Sequence, residues 1–189
     1  MWFPPKMQDA IEERYGSKQG MLKHFWFGVL YRCGAYRRNR LSAINYRPKR
    51  LVFVCAGNIC RSPLAEAVAA QLGMEVCSFG LDTRGNDKAD ARALAFAESY
   101  GIDCSEHRTT PIAEFVAEEG DLLVAMEPYH LKLLRQSGVQ VPTVLLGLTD
   151  NDFACPYIHD PFNTRLSFFK KTEQLVVDRT KALVAYVKK

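Results

Sequence analysis

Residues Leu51 to Pro63, Leu-Val-Phe-Val-Cys-Ala-Gly-Asn-Ile-Cys-Arg-Ser-Pro, constrain the fold of this chain more than any other stretch. Four apolar, β-prone residues stop at Cys55, a Gly-Asn pair follows, and a helix-like run opens at Pro63 and continues Leu-Ala-Glu-Ala-Val-Ala-Ala. The pattern reads as a strand, a tight loop and a helix start. Such a junction turns the loop's backbone N–H groups, and the unpaired N–H groups of the first helical turn, onto one anion. Gly57 tolerates positive φ and Asn58 visits the left-handed region readily, so Ala56, Gly57, Asn58, Ile59, Cys60, Arg61 and Ser62 are the candidate phosphate cradle.

Cys55 ends the strand, which places its sulfur at the centre of that ring of donors. Amides and the Arg61 cation stabilise a thiolate, and such surroundings lower a thiol pKa from ~8.5 to between ~3.5 and 7.5. The planar fork of Arg61 suits two phosphoryl oxygens at once. Ser62 is spaced to hydrogen-bond the sulfur, favouring the thiolate as it forms and as it departs from a phosphorylated intermediate. A buried structural cysteine would account for Cys55 alone. It gives no reason for the Gly-Asn pair, the arginine and the serine at these spacings.

The extended pattern of Val54, Cys55, Gly57, Asn58, Cys60, Arg61, Ser62 and Pro63 resembles the low-molecular-weight protein tyrosine phosphatases, whose signature loop has Cys, five residues, Arg, then Ser or Thr. Further motifs follow in family order through Lys189. Ser78 matches the serine that closes the family's second strand. Gly-Ile-Asp-Cys-Ser-Glu-His-Arg, ending at Arg108, matches another signature, and the resemblance implies that His107 joins Asn58, Ser62 and Ser78 in a network supporting the loop. Asp160-Pro161-Phe162 resembles the family's Asp-Pro-Tyr acid loop, so Asp160 is the implied general acid within a polar segment that also holds Asp150, Asp152 and His159. Two positions depart from the family. Arg84 stands where many members place an aromatic against the substrate ring, and an arginine there can stack on a phenol for ~0.5–1 kcal/mol. Phe162 keeps a ring on that wall but loses the hydroxyl. Glu127 stands where Asp is more usual and receives no role.

The resemblance implies a small doubly wound α/β domain, a four-stranded parallel sheet with helices on both faces. It implies an enzyme that hydrolyses phosphotyrosine in proteins through a phosphocysteine on Cys55, with no metal and no other cofactor. The implied partner is a phosphotyrosine protein, a tyrosine kinase being one candidate. Two relatives on the same scaffold are weighed against this reading. Thioredoxin-coupled arsenate reductases need a further cysteine pair, absent between Glu127 and Ser137, and phosphoarginine phosphatases carry Thr where this chain has Ile59. A phosphotyrosine-binding or docking protein without significant turnover is a third reading, but a pure binder needs no nucleophile and acid together. Cys60, in the same curled loop, could condense with an oxidised Cys55 and make the site redox-sensitive.

Alternation of the remaining patterns predicts strands at Leu51–Val54, Glu75–Phe79, Leu122–Ala125 and Thr143–Leu146. Helices are predicted at Pro63–Leu72, Ala89–Tyr100, Pro128–Gln136 and Leu166–Val187, the last with a core stripe of Phe169, Thr172, Val176, Thr180, Leu183 and Val187.

Charge locates a boundary. Residues 1–50 carry net +8 and the remainder net −4, which assigns the basic surplus to an extension, residues 1–49, ahead of a catalytic domain at 50–189. Within the extension Gln8–Tyr15 predicts a short helix. Met21–Tyr36 carries Leu22, Phe25, Trp26, Val29, Leu30 and Cys33 at helical spacing, beside a basic run of Arg32, Arg37, Arg38, Arg40, Arg47, Lys49 and Arg50. The first expectation is that this aromatic face packs on the domain or on a second copy of the chain. The second is an anionic membrane surface, which would put a cytoplasmic protein at the inner face of a membrane. Nucleic acid is disfavoured because no binding motif is present. Every motif the chemistry uses lies at or beyond Cys55, so the extension is expected to leave catalysis alone. No apolar run approaches the ~18 residues of a membrane span, no signal peptide is expected, and six cysteines without metal-ligand spacing fit a reducing cytoplasm.

Overall fold

The computed structural model describes residues 4–149 and 154–189. Four parallel strands, β1 (Arg50–Cys55), β2 (Glu75–Gly80), β3 (Asp121–Ala125) and β4 (Thr143–Leu145), form one sheet in the order β2-β1-β3-β4. Each lies within a residue of its predicted bounds. β1 and β3 are continuous apolar runs because both faces of the sheet are covered, as parallel sheets require. Leu51, Phe53, Leu122 and Val124 point to one side, where α3 (Arg61–Gln71), α4 (Ala91–Ser99) and α6 (Leu166–Val187) bring Leu64, Val68, Phe96, Val176 and Leu183. Val52, Val54 and Leu123 point to the other, against Leu134 of α5 (Pro128–Gln136) and Ile112 of the short turn ahead of β3. The whole predicted stripe of α6 is buried.

Register decides where the chemistry sits. Phe53 lies beside Ser78 and Val124, and Cys55 lies beside Gly80 at the carboxyl end of β1. The chain moves from β1 to β2 on one side and returns to β3 on the other, so the loop after Cys55 occupies the crevice at which the strand order reverses. α3 begins at Arg61, two residues before its predicted start. Pro63 tolerates this because a residue of the first turn has no intrahelical use for its N–H. Arg61 and Ser62 therefore belong to the helix mouth.

The extension is helical, with α1 (Pro5–Tyr15) and α2 (Lys18–Arg32) joined by Ser17, whose hydroxyl accepts the Gly20 N–H at 2.8 Å as an N-cap. Here the domain-packing half of the first expectation is corrected. The predicted aromatic stripe does not pack on the domain: Leu22, Phe25, Trp26 and Val29 are 66, 57, 61 and 50% exposed. The opposite face of α2, formed by Gly20, His24, Phe27 and Tyr31, makes the contact instead. Phe27 meets Tyr157 with ring centres 5.5 Å apart, His24 Nδ1 lies 3.5 Å from Cys155 Sγ, and Tyr31 packs on Ala125, Leu145 and Leu148. The surface that receives α2 is mixed, aromatic and polar at Tyr157, Cys155 and His159 and aliphatic at Ala125, Leu145 and Leu148, so a face of polar-tipped rings with a glycine for close approach fits it. A Cβ on Gly20 would lie 3.0 Å from His159 Nε2. α1 is tied down by Arg165, which donates to Asp9 at 2.6 Å and to Glu12 at 2.7 Å. Among the described residues no helix is long and apolar enough to cross a membrane.

Candidate active site

β1 ends in Cys55, and the chain turns at once. The 81–90 loop is stitched to this turn: Leu81 N–H donates to Cys55 O at 3.0 Å, Asp82 N–H to Ala56 O at 2.9 Å, and Asp90 N–H to Ile59 O at 2.8 Å. The left-handed corner falls on Asn58, at φ +56°, whereas Gly57 stays out of that region, which corrects the expectation for Gly57. Asn58 accepts the strain because its side chain is fully anchored. Nδ2 donates to Ser62 Oγ at 2.9 Å and to Ser78 Oγ at 2.8 Å, and Oδ1 accepts the Thr110 N–H at 2.9 Å.

These bonds fix the direction of the hydroxyls. Ser62 Oγ already accepts from Asn58, so its hydrogen is free for Cys55 Sγ, 3.0 Å away, which also accepts the Asn58 N–H at 3.2 Å. Ser78 likewise accepts from Asn58 and donates to Glu66 Oε2 at 2.5 Å. His107 Nε2 lies 2.9 Å from Asn58 O; a carbonyl only accepts, so His107 carries its proton on Nε2. Its Nδ1 is 3.8 Å from Glu66. A polarised chain thus runs from Glu66 through Ser78, Asn58 and Ser62 to the sulfur.

Around the sulfur, donors remain in excess. The N–H groups of Gly57, Ile59 and Cys60 donate to nothing among the described residues, and those of Arg61 and Ser62 sit in the first turn of α3, where helix geometry leaves them unpaired. Arg61 is buried. Its Nη1 donates to Ile158 O at 2.9 Å and its Nη2 to Asp160 Oδ2 at 2.6 Å, while Nε has no partner among the described residues. Phe162 N–H donates to the other oxygen of Asp160 at 3.0 Å, which aims the carboxylate at Arg61. The arrangement can bind a multiply charged oxyanion over Cys55 and hold a carboxyl group beside it.

The structure thus brings Cys55, Arg61, Ser62, Asp160, Asn58, Ser78 and His107 together. Phe162 is 47% exposed beside Asp160, and Arg84 is exposed in the 81–90 loop. Of the other acid-loop candidates, Asp150 and Asp152 lie outside the described residues. His159 turns away from the cradle: its Nε2 is 3.4 Å from Ser17 Oγ, its Nδ1 meets the Tyr157 hydroxyl, and its ring packs on Phe168. Burial lowers its pKa. The extension therefore rests on the segment immediately ahead of Asp160.

Glu66, Gly80 and Glu173 had not been singled out from sequence, and Glu127 had been given no role. Glu66 is the sole acid of α3 and stands in the apolar run Pro63–Ala70, a signal that was available. Gly80 permits close approach, since a Cβ there would lie 3.0 Å from Asn58 Cβ and 3.1 Å from Ala56 O. Glu127 is buried with His130 Nε2 3.1 Å from its carboxylate. Burial would raise that carboxyl, but His130 and the Arg61 charge outweigh it and hold it below the ordinary range. Glu173 of α6 is fully buried with neither oxygen hydrogen-bonded among the described residues, and burial, opposed by the Arg61 charge, pushes it up to about 8. Burial also pushes the Cys60 thiol far above its ordinary value, with the charge of Glu173 adding to the rise.

A family model described as low molecular weight phosphotyrosine protein phosphatase matches residues 50–189. A Ralstonia nicotianae protein named "Probable low molecular weight protein-tyrosine-phosphatase EpsP" is 37% identical over 81 residues, 42% of this chain and 56% of its own length. The chain thus spans little more than half of the first curated relatives it matches. A glutaredoxin arsenate reductase of Synechocystis is 30% identical over 142 residues, 74% of this chain and 98% of that protein. The crystal structure of the Erwinia amylovora tyrosine phosphatase AmsI superposes with a TM-score of 0.65 at 25% identity, covering 75% of this chain and 94% of that one.

Proposed function

Because the chain belongs to the low-molecular-weight protein-tyrosine-phosphatase family, we propose that it hydrolyses phosphotyrosine in proteins through a phosphocysteine on Cys55. The observation that carries this reading is the sulfur at the focus of unpaired loop amides, with the buried Arg61 guanidinium alongside and its Nε unpartnered. The amides of residues 56–62 and Arg61 bind the equatorial oxygens while Cys55 attacks phosphorus in line. Asp160 leaves Arg61 to the incoming phosphoryl group, takes up a proton from solvent once it no longer faces the guanidinium, and delivers that proton to the departing tyrosine oxygen. In the second step its carboxylate takes a proton from water as that water attacks the phosphocysteine. The Ser62 hydroxyl, directed at the sulfur, stabilises the thiolate that leaves. Phe162 and Arg84 flank the entrance as walls for the phenol ring. All six cysteines are free, which suits a reducing cytoplasm, where phosphotyrosine proteins, tyrosine kinases included, are the substrates.

The test is Cys55→Ser, which is expected to abolish release of phosphate from a phosphotyrosyl peptide while still binding orthovanadate, because the amides and Arg61 remain. Turnover that survives the substitution refutes the phosphocysteine. The Synechocystis relative raises arsenate reduction as a second reading. It requires arsenate-dependent thiol consumption with glutaredoxin and glutathione; phosphopeptide hydrolysis without that consumption decides for the phosphatase. A phosphoarginine substrate is disfavoured by Ile59, which supplies no hydroxyl.

A further inference from the structure

The stripe that sequence alone would have buried is presented to solvent by a helix whose other face is firmly seated. We propose that Leu22, Phe25, Trp26 and Val29 of α2 form a docking surface for an anionic lipid bilayer. Four large apolar side chains at spacings of three and four residues make one continuous patch. The patch is not a core face that failed to pack, because Gly20, His24, Phe27 and Tyr31 on the opposite side hold the helix to the domain. Trp26 and Phe25 are suited to the headgroup boundary, and a 15-residue helix lies along a bilayer rather than through it.

Charge identifies the occupant. From Gly16 through Arg50 the chain has no Asp or Glu. By helical geometry Arg32 borders the stripe, exposed Lys23 lies between the two faces with its ammonium 5.9 Å from the Tyr157 ring centre, and Arg37, Arg38, Arg47 and Lys49 are exposed in the segment that follows. Each basic residue near an anionic surface strengthens binding about fivefold. A second copy is the poorer fit. Two such stripes packed face to face would bring two basic borders together with no acid in that segment to pair them. The surface also lies opposite the α2 face that touches Tyr157 and His159, so docking leaves the seat on the acid loop intact.

The experiment uses the full-length protein with vesicles of phosphatidylcholine and phosphatidylglycerol, read by co-sedimentation, with pure phosphatidylcholine as reference. Binding is expected to the anionic vesicles and to weaken at least about tenfold between ~0.05 and ~0.5 M salt as the Debye length contracts. Phe25→Ser with Trp26→Ser should weaken it about tenfold or more, and Arg37→Glu with Arg38→Glu similarly. All four side chains are exposed, so each variant should keep its melting temperature and aryl-phosphate turnover, which guards against misfolding. Equal binding to pure phosphatidylcholine, wild-type binding by the Phe25/Trp26 variant, or no binding by the folded full-length protein would each overturn the proposal. A dimer that forms without lipid and is lost in the Phe25/Trp26 variant, with no vesicle binding, would assign the stripe to a second copy instead.

Discussion

Replacing Glu173 by Gln is expected to make the protein more stable at alkaline pH and to change little at acid pH. The carboxyl has no exposed surface and no hydrogen-bond partner among the described residues, and burial raises it from about 4.5 to about 8. In the unfolded chain it ionises above about 4.5, while the folded protein keeps it neutral until about 8. The unfolded state therefore gains from losing a proton through that window and the folded state does not, so the wild type's stability contribution is complete below the lower value and lost as pH rises to the upper one. One unit of difference is about 1.4 kcal/mol, so the full gap corresponds to about 5 kcal/mol. Relaxation of the ionised side chain toward water reduces this to about 2–3 kcal/mol. Glutamine has nearly the same shape and no charge to bury. Urea unfolding of both proteins at several pH values between 5 and 8.5 measures the effect, and subtracting the two profiles removes every other titrating group. The difference should grow in favour of Gln as pH rises. Parallel profiles would mean that Glu173 is ionised or solvated in the folded protein and would refute the argument.

Asp160→Asn should slow phosphocysteine formation by about 10²-fold or more for phenyl phosphate and much less for a substrate with an activated leaving group, measured in single turnovers; equal losses would remove Asp160 from the acid role. Gly16→Ala should destabilise the seat of the extension by about 1–3 kcal/mol, because the residue has φ +76° and its new Cβ would lie 2.5 Å from His159. If the extension steadies the acid loop, the same variant lowers turnover of poor leaving groups selectively; an unchanged leaving-group profile in a folded variant would show that the extension leaves catalysis alone. After brief peroxide treatment, Cys60→Ser should recover less activity with reductant than the wild type, since only the wild type can shelter an oxidised Cys55 as a disulfide; equal recovery would make Cys60 a buried filler.

The parts of the fold that rest on local pattern were readable beforehand, and the reasons are particular. β1, the loop and α6 each combine an apolar period with an end signal, and the family resemblance placed His107 and Ser78 although they lie far from Asn58 in sequence. What escaped depended on tertiary partners. Nothing local says that Glu66 accepts from Ser78, or that α6 folds Glu173 beneath the loop, since a charged residue in a helix ordinarily marks a solvated face. α2 shows the same limit from the other direction: both of its faces are apolar or aromatic, so periodicity identified a stripe but not which side would meet protein. Gly57 and Asn58 are both readable as candidates for positive φ, and the structure gives it to Asn58, whose anchored side chain holds it.

The ion pair between Arg61 and Asp160 has a consequence for selectivity. A side chain tethered at 2.6 Å from the clamp acts as a built-in competitor at a fixed, high effective concentration. Any anion that enters must displace a carboxylate carrying one negative charge. Chloride, carboxylates and phosphodiesters bring no more charge than the group they would replace. A phosphate monoester arrives as a dianion with three oxygens for the loop amides. On the proposed mechanism the closed pair works as a threshold: it filters ligands by charge number before their shape is read, and it frees the Asp160 carboxyl only when a dianion has taken its place.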